Sequence, residues 1–396
     1  MTLETPPLSL YLHFPWCVRK CPYCDFNSYT LSGALPEAAY LQALTRDLSE
    51  QAALPQVAGR SLTSIFMGGG TPSLFSPAAI GRVLEQARAL IGFAPDIEIT
   101  LEANPGTIER GRFAEYAAAG VNRVSLGAQS FGAQQLEVLG RIHSSAETVL
   151  AAEELHAAGL DNFNLDLMYG LPQQDVAGAR SDLRQALALA PAHISHYHLT
   201  MEPGTVFGAQ PPPLPGEDSV ELMLQECAEE LAGADFGHYE VSAYAHAGAQ
   251  CRHNLNYWTF GDYLGVGAGA HGKLTDVVAG AILRTTHTRE PRRYQAGTPL
   301  MIRTVTPAEL PFEFMMNALR LTAGFEAALF EARTGLRFEQ VVPILLSQQA
   351  RGLLASVDGH WAPSLTGQRF LNDLLLDFLP ESSATAHPAL SRPKVV

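Results

Sequence analysis

Short apolar runs alternate with amphipathic stretches through the first half of the chain. The runs have the length and the aliphatic content of buried strands, and the stretches between them carry apolar residues at helical spacing. Several of these stretches begin after Ser or Pro and end at Gly, as capped helices do. The predicted strands are residues 9–14, 64–69, 97–103, 123–129, 163–170 and 193–200, and the predicted helices are 36–53, 76–91, 109–120, 145–159 and 176–190.

This alternation predicts an α/β fold, because repeated strand–helix units form a parallel sheet covered by helices. Six units fit a partial (β/α)6 barrel better than a closed barrel of eight. A helix over 219–233 and a strand within 238–245 follow. From residue 306 onwards, helical patterns over 307–325, 338–356 and 365–379 surround one short hairpin. They predict a small, mostly helical C-terminal domain of winged-helix type.

The same patterns suggest domain boundaries. We expect a partial barrel over residues 1–235, an extension over 236–300 and the helical C-terminal domain over 301–379. The last residues, 380–396, are rich in Pro, Ser and Ala and predict a disordered tail.

Composition narrows the class of protein. The chain has 396 residues, 47% of them hydrophobic and 17% charged, which is enough for a large buried core. Its formal net charge of -14 disfavours a general nucleic-acid binder, whose surface is usually basic. No apolar run reaches the ~18–20 residues of a membrane span, and the N-terminus lacks a secretory pattern. These features predict a cytoplasmic protein.

Three of the five cysteines lie close together, at positions 17, 21 and 24, in the pattern C-x3-C-x2-C. Three thiolates in one loop can bind three corners of a [4Fe–4S] cluster and leave the fourth iron open to an exogenous ligand. The amino and carboxylate groups of S-adenosylmethionine are such a ligand. A structural zinc site is the alternative, and it would need a fourth ligand from His13, Cys227 or Cys251. A plain electron carrier usually ligates every iron with protein residues, which argues against that class.

The stretch "YLHFPWCVRKCPYCDFNS" resembles the HemN/HemW branch of the radical S-adenosylmethionine superfamily. The resemblance implies a [4Fe–4S] cluster on Cys17, Cys21 and Cys24, with Tyr11 and Tyr23 beside the adenosylmethionine. The stretch "GGGTPS" after the second predicted strand is similar to the loop that receives the methionine amino group in this superfamily. It implies contacts from Gly69, Gly70 and Thr71.

Polar residues also follow the later strands. Ligand sites in (β/α) barrels gather where strands end, and carboxylates, amides and forked guanidinium groups suit ribose, ammonium and carboxylate groups. In the HemN/HemW families, matching residues at these spacings contact adenosylmethionine, which implies roles for Glu102, Gln129, Arg141 and Asp166. Taken singly, each could instead be a satisfied polar group of the barrel interior.

Two functions compete within this branch. Oxidases of the HemN type start the decarboxylation of coproporphyrinogen III with a 5′-deoxyadenosyl radical, whereas proteins of the HemW type resemble haem chaperones. The oxidases carry a further cysteine where this chain has Phe26, and a longer segment before the cysteines. Both differences disfavour the oxidase without disfavouring the cluster.

The stretch "CRHNLNYW" favours the chaperone, because it matches the H-N-x-x-Y-W motif of the HemW type. Histidine is a common axial ligand of haem iron, and aromatic rings suit the porphyrin face. The residues implied are His253, Asn254, Tyr257 and Trp258. A hydrogen-bonded core cluster is the alternative, and His246, His271 and Cys251 are rival ligands.

The resemblance therefore implies a haem chaperone that holds haem, a [4Fe–4S] cluster and S-adenosylmethionine. It would deliver haem to haem-dependent proteins such as respiratory enzymes, meeting the membrane through such partners, and a homodimer is compatible with this role. Whether the chain is also an enzyme stays open. The alternative function is an oxygen-independent coproporphyrinogen III oxidase.

Overall fold

A computed structural model of the chain describes residues 3–106 and 111–380. The predicted disordered tail, apart from residue 380, lies outside the described residues, as do the first two residues of the predicted helix 109–120. Among the described residues, no helix combines the length and the apolar composition that crossing a membrane requires.

One sheet of twelve strands forms the centre of the molecule, and its strands follow the order β14-β13-β12-β11-β1-β4-β5-β6-β7-β8-β10-β9. The strands of this sheet are β1 Leu8–Phe14, β4 Leu62–Gly69, β5 Phe93–Ala103, β6 Arg123–Gln129, β7 Phe163–Tyr169, β8 His193–His198, β9 Gly237–Glu240, β10 Ala243–Ala245, β11 Asp262–Val266, β12 His271–Asp276, β13 Ala281–Thr286 and β14 Met301–Thr304. Two further strands, β2 Trp16–Cys17 and β3 Tyr29–Thr30, pair only with each other. Helices pack on the outside of the sheet because the strands are apolar and buried on both faces.

The six predicted strand–helix units are confirmed. Strands β1, β4, β5, β6, β7 and β8 are parallel neighbours in chain order. The sheet continues past both ends of this unit. Strand β11 joins β1 in parallel and is followed by antiparallel β12 to β14, while β10 and β9 extend the other side. The result is a partial barrel with an antiparallel extension on each edge.

The helices begin where the sequence provides caps. The Ser76 hydroxyl accepts a bond from Ala79 N at the start of the second helix, and Ser144 with Glu147 forms a capping box at the fifth. The helices are α1 Glu37–Ala52, α2 Pro77–Leu90, α3 Phe113–Ala118, α4 Ala133–Val138, α5 Ser145–Ala157, α6 Val176–Ala188, α7 Val206–Ala209, α8 Glu217–Gly233, α9 Arg252–Trp258, α10 Pro291–Gln295, α11 Leu310–Ala318, α12 Ala327–Thr334, α13 Val342–Ala350, α14 Leu365–Arg369 and α15 Leu371–Leu376.

Two local predictions were wrong, and one pair of strands was not predicted. The stretch 238–245 forms two strands, β9 and β10, rather than one, because the chain turns between them and pairs with itself. The glycine-rich run 263–272 contributes to β11 and β12, which sequence reasoning did not identify as strands. The predicted helix through 338–356 ends at Ala350, because Gly352 has a φ of +75° and the chain then enters a hairpin.

The C-terminal region has the predicted winged-helix character. Helices α11 to α13 pack beside a small sheet of β15 Phe325–Glu326, β16 Leu354–Val357 and β17 His360–Pro363, in the order β15-β17-β16. Phe314 packs edge-on against Phe325 and Phe330 in its core. The region joins the main sheet through a backbone bond from Thr322 N to Tyr239 O and a bridge at Leu321.

A buried ion-pair network ties β11 to its neighbours. The Asp262 carboxylate is fully buried and accepts bonds from Arg60 and Lys273, each at 2.8 Å, and from Thr275. Lys273 is itself buried and lies 4.5 Å from the ring centroid of Phe260. The Asp262 carboxylate and the Lys273 ammonium stabilise each other's charge, because neither group has access to water.

We expect Asp262→Asn to lower the free energy of unfolding by about 3–5 kcal/mol, since it leaves the Lys273 ammonium buried without its counter-ion. Urea denaturation measures this loss. Asp161→Asn is the matched control, because Asp161 is exposed and pairs with His156 at the surface, so its loss should be far smaller. Equal losses in the two variants would contradict the role given to the buried pair.

Candidate functional site

A cavity of about 550 Å³ lies at the barrel mouth and extends into the barrel. This size is ordinary for a small-molecule site. Most of the residues singled out from the sequence line it, although they come from positions far apart in the chain. Those that line it are Cys17, Cys21, Tyr23, Cys24, Gly69, Gly70, Thr71, Glu102, Gln129, Arg141, Asp166 and Asn254. Tyr11, His253, Tyr257 and Trp258 lie behind its wall.

The cysteine loop is closed by its own polar groups. It runs between β2 and β3, and the Lys20 ammonium donates to the carbonyls of Phe26 and Ser28 at 3.1 and 3.0 Å. A backbone bond of 3.2 Å from Cys24 N to Cys21 O makes a turn between two of the cysteines. These contacts hold the three thiols on one side of the loop, towards the cavity.

The glycine loop after β4 holds the cysteine loop in place. Gly70 N donates to Phe14 O at 2.7 Å, and Thr71 N donates to Trp16 O at 2.8 Å. A Cβ on Gly70 would lie only 2.6 Å from Trp16 O, and one on Gly69, whose φ is +112°, would overlap the His13 ring. The packing of the protein itself therefore requires these glycines.

The donor set fits a [4Fe–4S] cluster better than a single zinc ion. Within residues 3–106 and 111–380, no three His, Cys, Asp or Glu side chains converge on one ion-sized position. A cluster does not require such convergence, because each thiolate binds a different iron. His13 is a poor fourth zinc ligand, since its two ring nitrogens already bond to the Tyr11 hydroxyl and to Asn27 O.

Burial and one nearby cation act on the three thiols of the cysteine loop. Burial raises the pKa of Cys17 and Cys24, so both favour the neutral thiol until a metal displaces the proton. Arg141 Nη1 donates to the third sulfur, Cys21 Sγ, at 3.4 Å.

Asn104 belongs to the same group, although sequence reasoning missed it. Its Oδ1 accepts a bond from Arg141, its Nδ2 donates to Thr71 Oγ1 at 3.1 Å, and it lines the cavity. It stands one residue beyond the end of β5, where the rule that led to Glu102 would also have found it. Asn104 fixes the Arg141 guanidinium, which also donates to Gly127 O at 3.0 Å.

Gln129 carries backbone strain at the mouth of the cavity. Its φ is +61°, a left-handed value that is uncommon for residues other than glycine. Its buried Oε1 finds no partner among the described residues. Strain and an unsatisfied acceptor cost stability, and both occur together mainly at ligand sites. Gln129 therefore fits a role in which a bound ligand supplies the missing donor.

Two buried carboxyl groups face the cavity. The pKa of Glu102 is raised to about 8, mainly by burial and also by the nearby Asp166, while a bond of 3.1 Å from Gly69 N opposes the shift. Burial also raises the pKa of Asp166, against bonds from Asn164 Nδ2 at 2.8 Å and Ser125 Oγ at 3.0 Å. At neutral pH, Glu102 is therefore largely protonated and can donate a hydrogen bond.

The H-N-x-x-Y-W stretch forms α9, which packs behind the barrel wall. His253 is buried, its Nδ1 lies 3.1 Å from Ser64 Oγ, and its Nε2 lies 2.8 Å from the Tyr257 hydroxyl. Burial lowers the pKa of His253 to about 3, so the ring is neutral. The ring of Tyr11 lies 6.4 Å from that of His253 in the same layer. In this conformation neither nitrogen of His253 is free to bind iron.

The other residues near this motif divide into two groups. His246 and His271 are exposed and lie outside the cavity lining. Cys251 is buried and lines the cavity, as does Asn254. The Trp258 ring lies beneath Arg320 of the C-terminal region, 4.3 Å from ring centroid to guanidinium carbon. The motif thus meets the cavity through Cys251, Asn254 and the arginine above Trp258.

Residues 11–185 match the radical SAM superfamily, and residues 305–370 match the HemN C-terminal domain. The chain is 49% identical over 380 residues to the heme chaperone HemW of Escherichia coli K12, which covers 96% of this chain and 100% of that protein. It is 47% identical over 382 residues to the heme chaperone HemW of Haemophilus influenzae, covering 96% and 99% of the two chains.

The chain belongs to the HemW family of the radical SAM superfamily. A solved structure, the coproporphyrinogen III oxidase HemN of Escherichia coli, resembles it with a TM-score of 0.79 and 23% identity, over 94% of this chain and 90% of that one. At that identity the likeness speaks for the fold. It confirms the predicted radical SAM barrel and its HemN-type C-terminal domain.

The protonation state of Glu102 can be tested in the ligand-free protein. The pKa of Glu102 is about 8 in the folded protein and ordinarily 4.5, so the folded state binds the proton more tightly between these pH values. Stability should therefore fall as the pH rises through this window, by at most roughly 1.4 kcal/mol per pH unit. Glu102→Gln removes this loss, and we expect the variant to be more stable than the wild type at pH 8.

Urea denaturation of the ligand-free protein at pH 5 and pH 8 measures the difference. The advantage of Glu102→Gln should shrink towards pH 5, where the wild-type carboxyl is protonated. Glu85→Gln on the exposed face of α2 is the control, and its effect should be small at both pH values. If Glu102→Gln were no more stable than the wild type at pH 8, ionisation of Glu102 would cost the folded protein no stability.

Proposed function

We propose that this chain is a haem chaperone that binds haem together with a [4Fe–4S] cluster and S-adenosylmethionine. The observation that carries the proposal is the near full-length identity of 49% to a protein named heme chaperone HemW. The cavity supports it, because it brings Cys17, Cys21 and Cys24 together with polar groups from successive strand ends. As acceptors we propose haem-dependent proteins such as respiratory enzymes, and as location the cytoplasm.

Different residues at the mouth of the cavity would contact different groups of adenosylmethionine. Glu102 and Asp166 offer hydrogen-bonding carboxyl groups, Gln129 offers an unsatisfied amide oxygen, and Arg141 offers a guanidinium beside Cys21. A reduced cluster would supply the electron for cleaving adenosylmethionine. We propose that in this chain the cluster serves haem transfer or dimerisation, in a regulatory or structural role.

Phe26 favours the chaperone over the oxidase. Its side chain is 47% exposed at the rim of the cavity, close to the exposed Val18 and Ile142. A cysteine at this position, which the resemblance associates with porphyrinogen oxidation, is replaced here by an apolar ring. An apolar rim suits contact with a porphyrin or with a partner protein better than proton or electron transfer.

The first test separates the two functions directly. Anaerobically reconstituted protein is divided, and one sample is titrated with hemin while its Soret band is recorded. The other is incubated with coproporphyrinogen III, S-adenosylmethionine and a reductant, and assayed for protoporphyrinogen. We expect stoichiometric haem binding without product. Product formation by the wild type would establish the oxidase instead.

Cysteine variants control this test. Replacing Cys17, Cys21 and Cys24 by Ser should abolish the brown absorbance of the cluster, whereas Cys227→Ser, in the barrel core away from the cavity, should retain it. If haem transfer to an acceptor continued unchanged in the triple variant, the cluster would have no part in transfer.

We further propose that haem binds against the side of the cavity that Asn254 lines, with His253, Tyr257 and Trp258 packed behind it. Because both nitrogens of His253 are engaged, His253→Gln should weaken haem binding by disturbing the wall, by about tenfold, without changing the position of the Soret band. Absorbance titration measures both quantities. A shifted Soret band would instead make His253 the axial ligand, and unchanged binding would remove this side of the cavity from the haem site.

A further inference from the structure

The C-terminal region contributes one arginine to the wall of the cavity. Arg320 follows α11, is only 5% exposed, and lines the cavity with Ser242 and Asn254. Its Nη2 donates to Glu240 Oε2 at 3.2 Å, and its guanidinium lies over the Trp258 ring. Its Nε has no hydrogen-bond partner within the described part of the chain. Glu240 and Trp258 thus hold the Arg320 side chain in place, and its buried Nε remains available as a hydrogen-bond donor.

A second arginine in the cavity has the same property. Arg123 is 2% exposed and lines the cavity, and its closest carboxylate is Glu98, whose Oε2 lies 4.0 Å from its Nε. That distance exceeds a hydrogen bond, and Nε again finds no partner among the described residues. A buried donor left unsatisfied lowers stability, and a bound acceptor would relieve that cost.

Arg123 lies deeper in the barrel than Gln129, at the other end of the same strand. Arg123 begins β6, and Gln129 ends it at the mouth, so their Cα atoms are about 20 Å apart at ~3.3 Å per residue. An adenosylmethionine carboxylate chelating the cluster would lie near Cys21, where Arg141 is the available guanidinium. Because Arg141 is the guanidinium beside Cys21, Arg123 and Arg320 are available to a second anion in the same cavity.

We propose that Arg320 and Arg123 form a binding site for a carboxylate of the cargo, and that Trp258 positions Arg320 for it. The inference rests on the proposed function, in which the carboxylate is a propionate of haem. Guanidinium groups present their donors in a planar fork that matches a carboxylate, and an aromatic face beneath the cation holds the fork in place. Glu98 and Glu240 already neutralise the two cations, so the carboxylate is held by directed hydrogen bonds rather than by surplus charge.

This assignment gives the H-N-x-x-Y-W motif a role without iron ligation. Asn254 lines the cavity directly, and Trp258 acts through the guanidinium above it. The motif and the C-terminal domain would then form one side of the haem site together. The site is complete only when the C-terminal domain is docked on β9, through the bridge between Glu240 and Leu321.

The experiment compares two ligands that differ only at the propionates. Hemin and hemin dimethyl ester are titrated under identical conditions into the full-length wild type and into Arg320→Gln, Arg320→Lys and Arg351→Gln. Arg351 pairs with Asp377 on the surface of the same domain and is the matched control. Adenosylmethionine affinity is measured in parallel, and thermal melts establish that each variant is folded.

We expect the wild type to bind hemin about tenfold more tightly than the ester. Arg320→Gln should reduce this preference to less than about twofold, Arg320→Lys should keep part of it, and Arg351→Gln should keep all of it. Trp258→Leu should lower the preference and Trp258→Phe should retain most of it, which a merely structural tryptophan would not do. Adenosylmethionine affinity should not change in Arg320→Gln.

Equal affinities of the wild type for hemin and its ester would overturn the carboxylate site and leave the chaperone function intact. The carboxylate site would also be overturned if Arg320→Gln still bound hemin more tightly than the ester. The same holds if Arg320→Gln kept that preference and lost affinity for adenosylmethionine instead. A wild type that binds neither porphyrin would overturn the proposed function itself, and the inference with it.

Discussion

Two backbone hydrogen bonds place the cysteine loop over the barrel. Gly70 N to Phe14 O and Thr71 N to Trp16 O join the loop after β4 to the segment that leads from β1 into the cysteines. Any side chain at position 70 would meet the Trp16 carbonyl, so the contact requires glycine. Thr71 also receives a bond from Asn104, which fixes Arg141. The geometry of the mouth thus depends on how closely these two backbones approach.

Burial of charge is the second constraint on the cavity. The carboxyl groups of Glu102 and Asp166 and the guanidinium groups of Arg123 and Arg320 line the same cavity, and both arginines are buried. The Nε of each arginine has no partner among the described residues, and burial raises the pKa of Glu102 to about 8. A protein gains nothing in stability from such groups. Their concentration around one cavity is better explained by ligands that complete their hydrogen bonds.

Local patterns in the sequence were enough to predict the six parallel strands, their helices and most of the mouth. The reason is that strand ends in a parallel barrel meet at one edge, so a polar residue just after a strand, such as Glu102, can be located without knowing any long-range contact. The same logic covers Asn104, which was overlooked. It does not reach the strands β11 and β12, because their glycine-rich composition hides the strand pattern. Strand β11 pairs with β1, far away in the chain, and β12 pairs with β11.

The position of α9 and the role of Arg320 depend on contacts that no local pattern encodes. His253 turns inward because Ser64, on β4, and Tyr257 satisfy its ring nitrogens, and a motif alone does not reveal those partners. Arg320 stands at the end of a helix in a different domain, and it reaches the cavity only because Leu321 bridges to Glu240 at the edge of the sheet. An open barrel leaves that edge unpaired, and docking the C-terminal domain there both covers the edge and brings a cation to the cavity. Covering the edge and completing the site are consequences of the same contact, so a change that loosens the domain would be expected to alter the cavity as well.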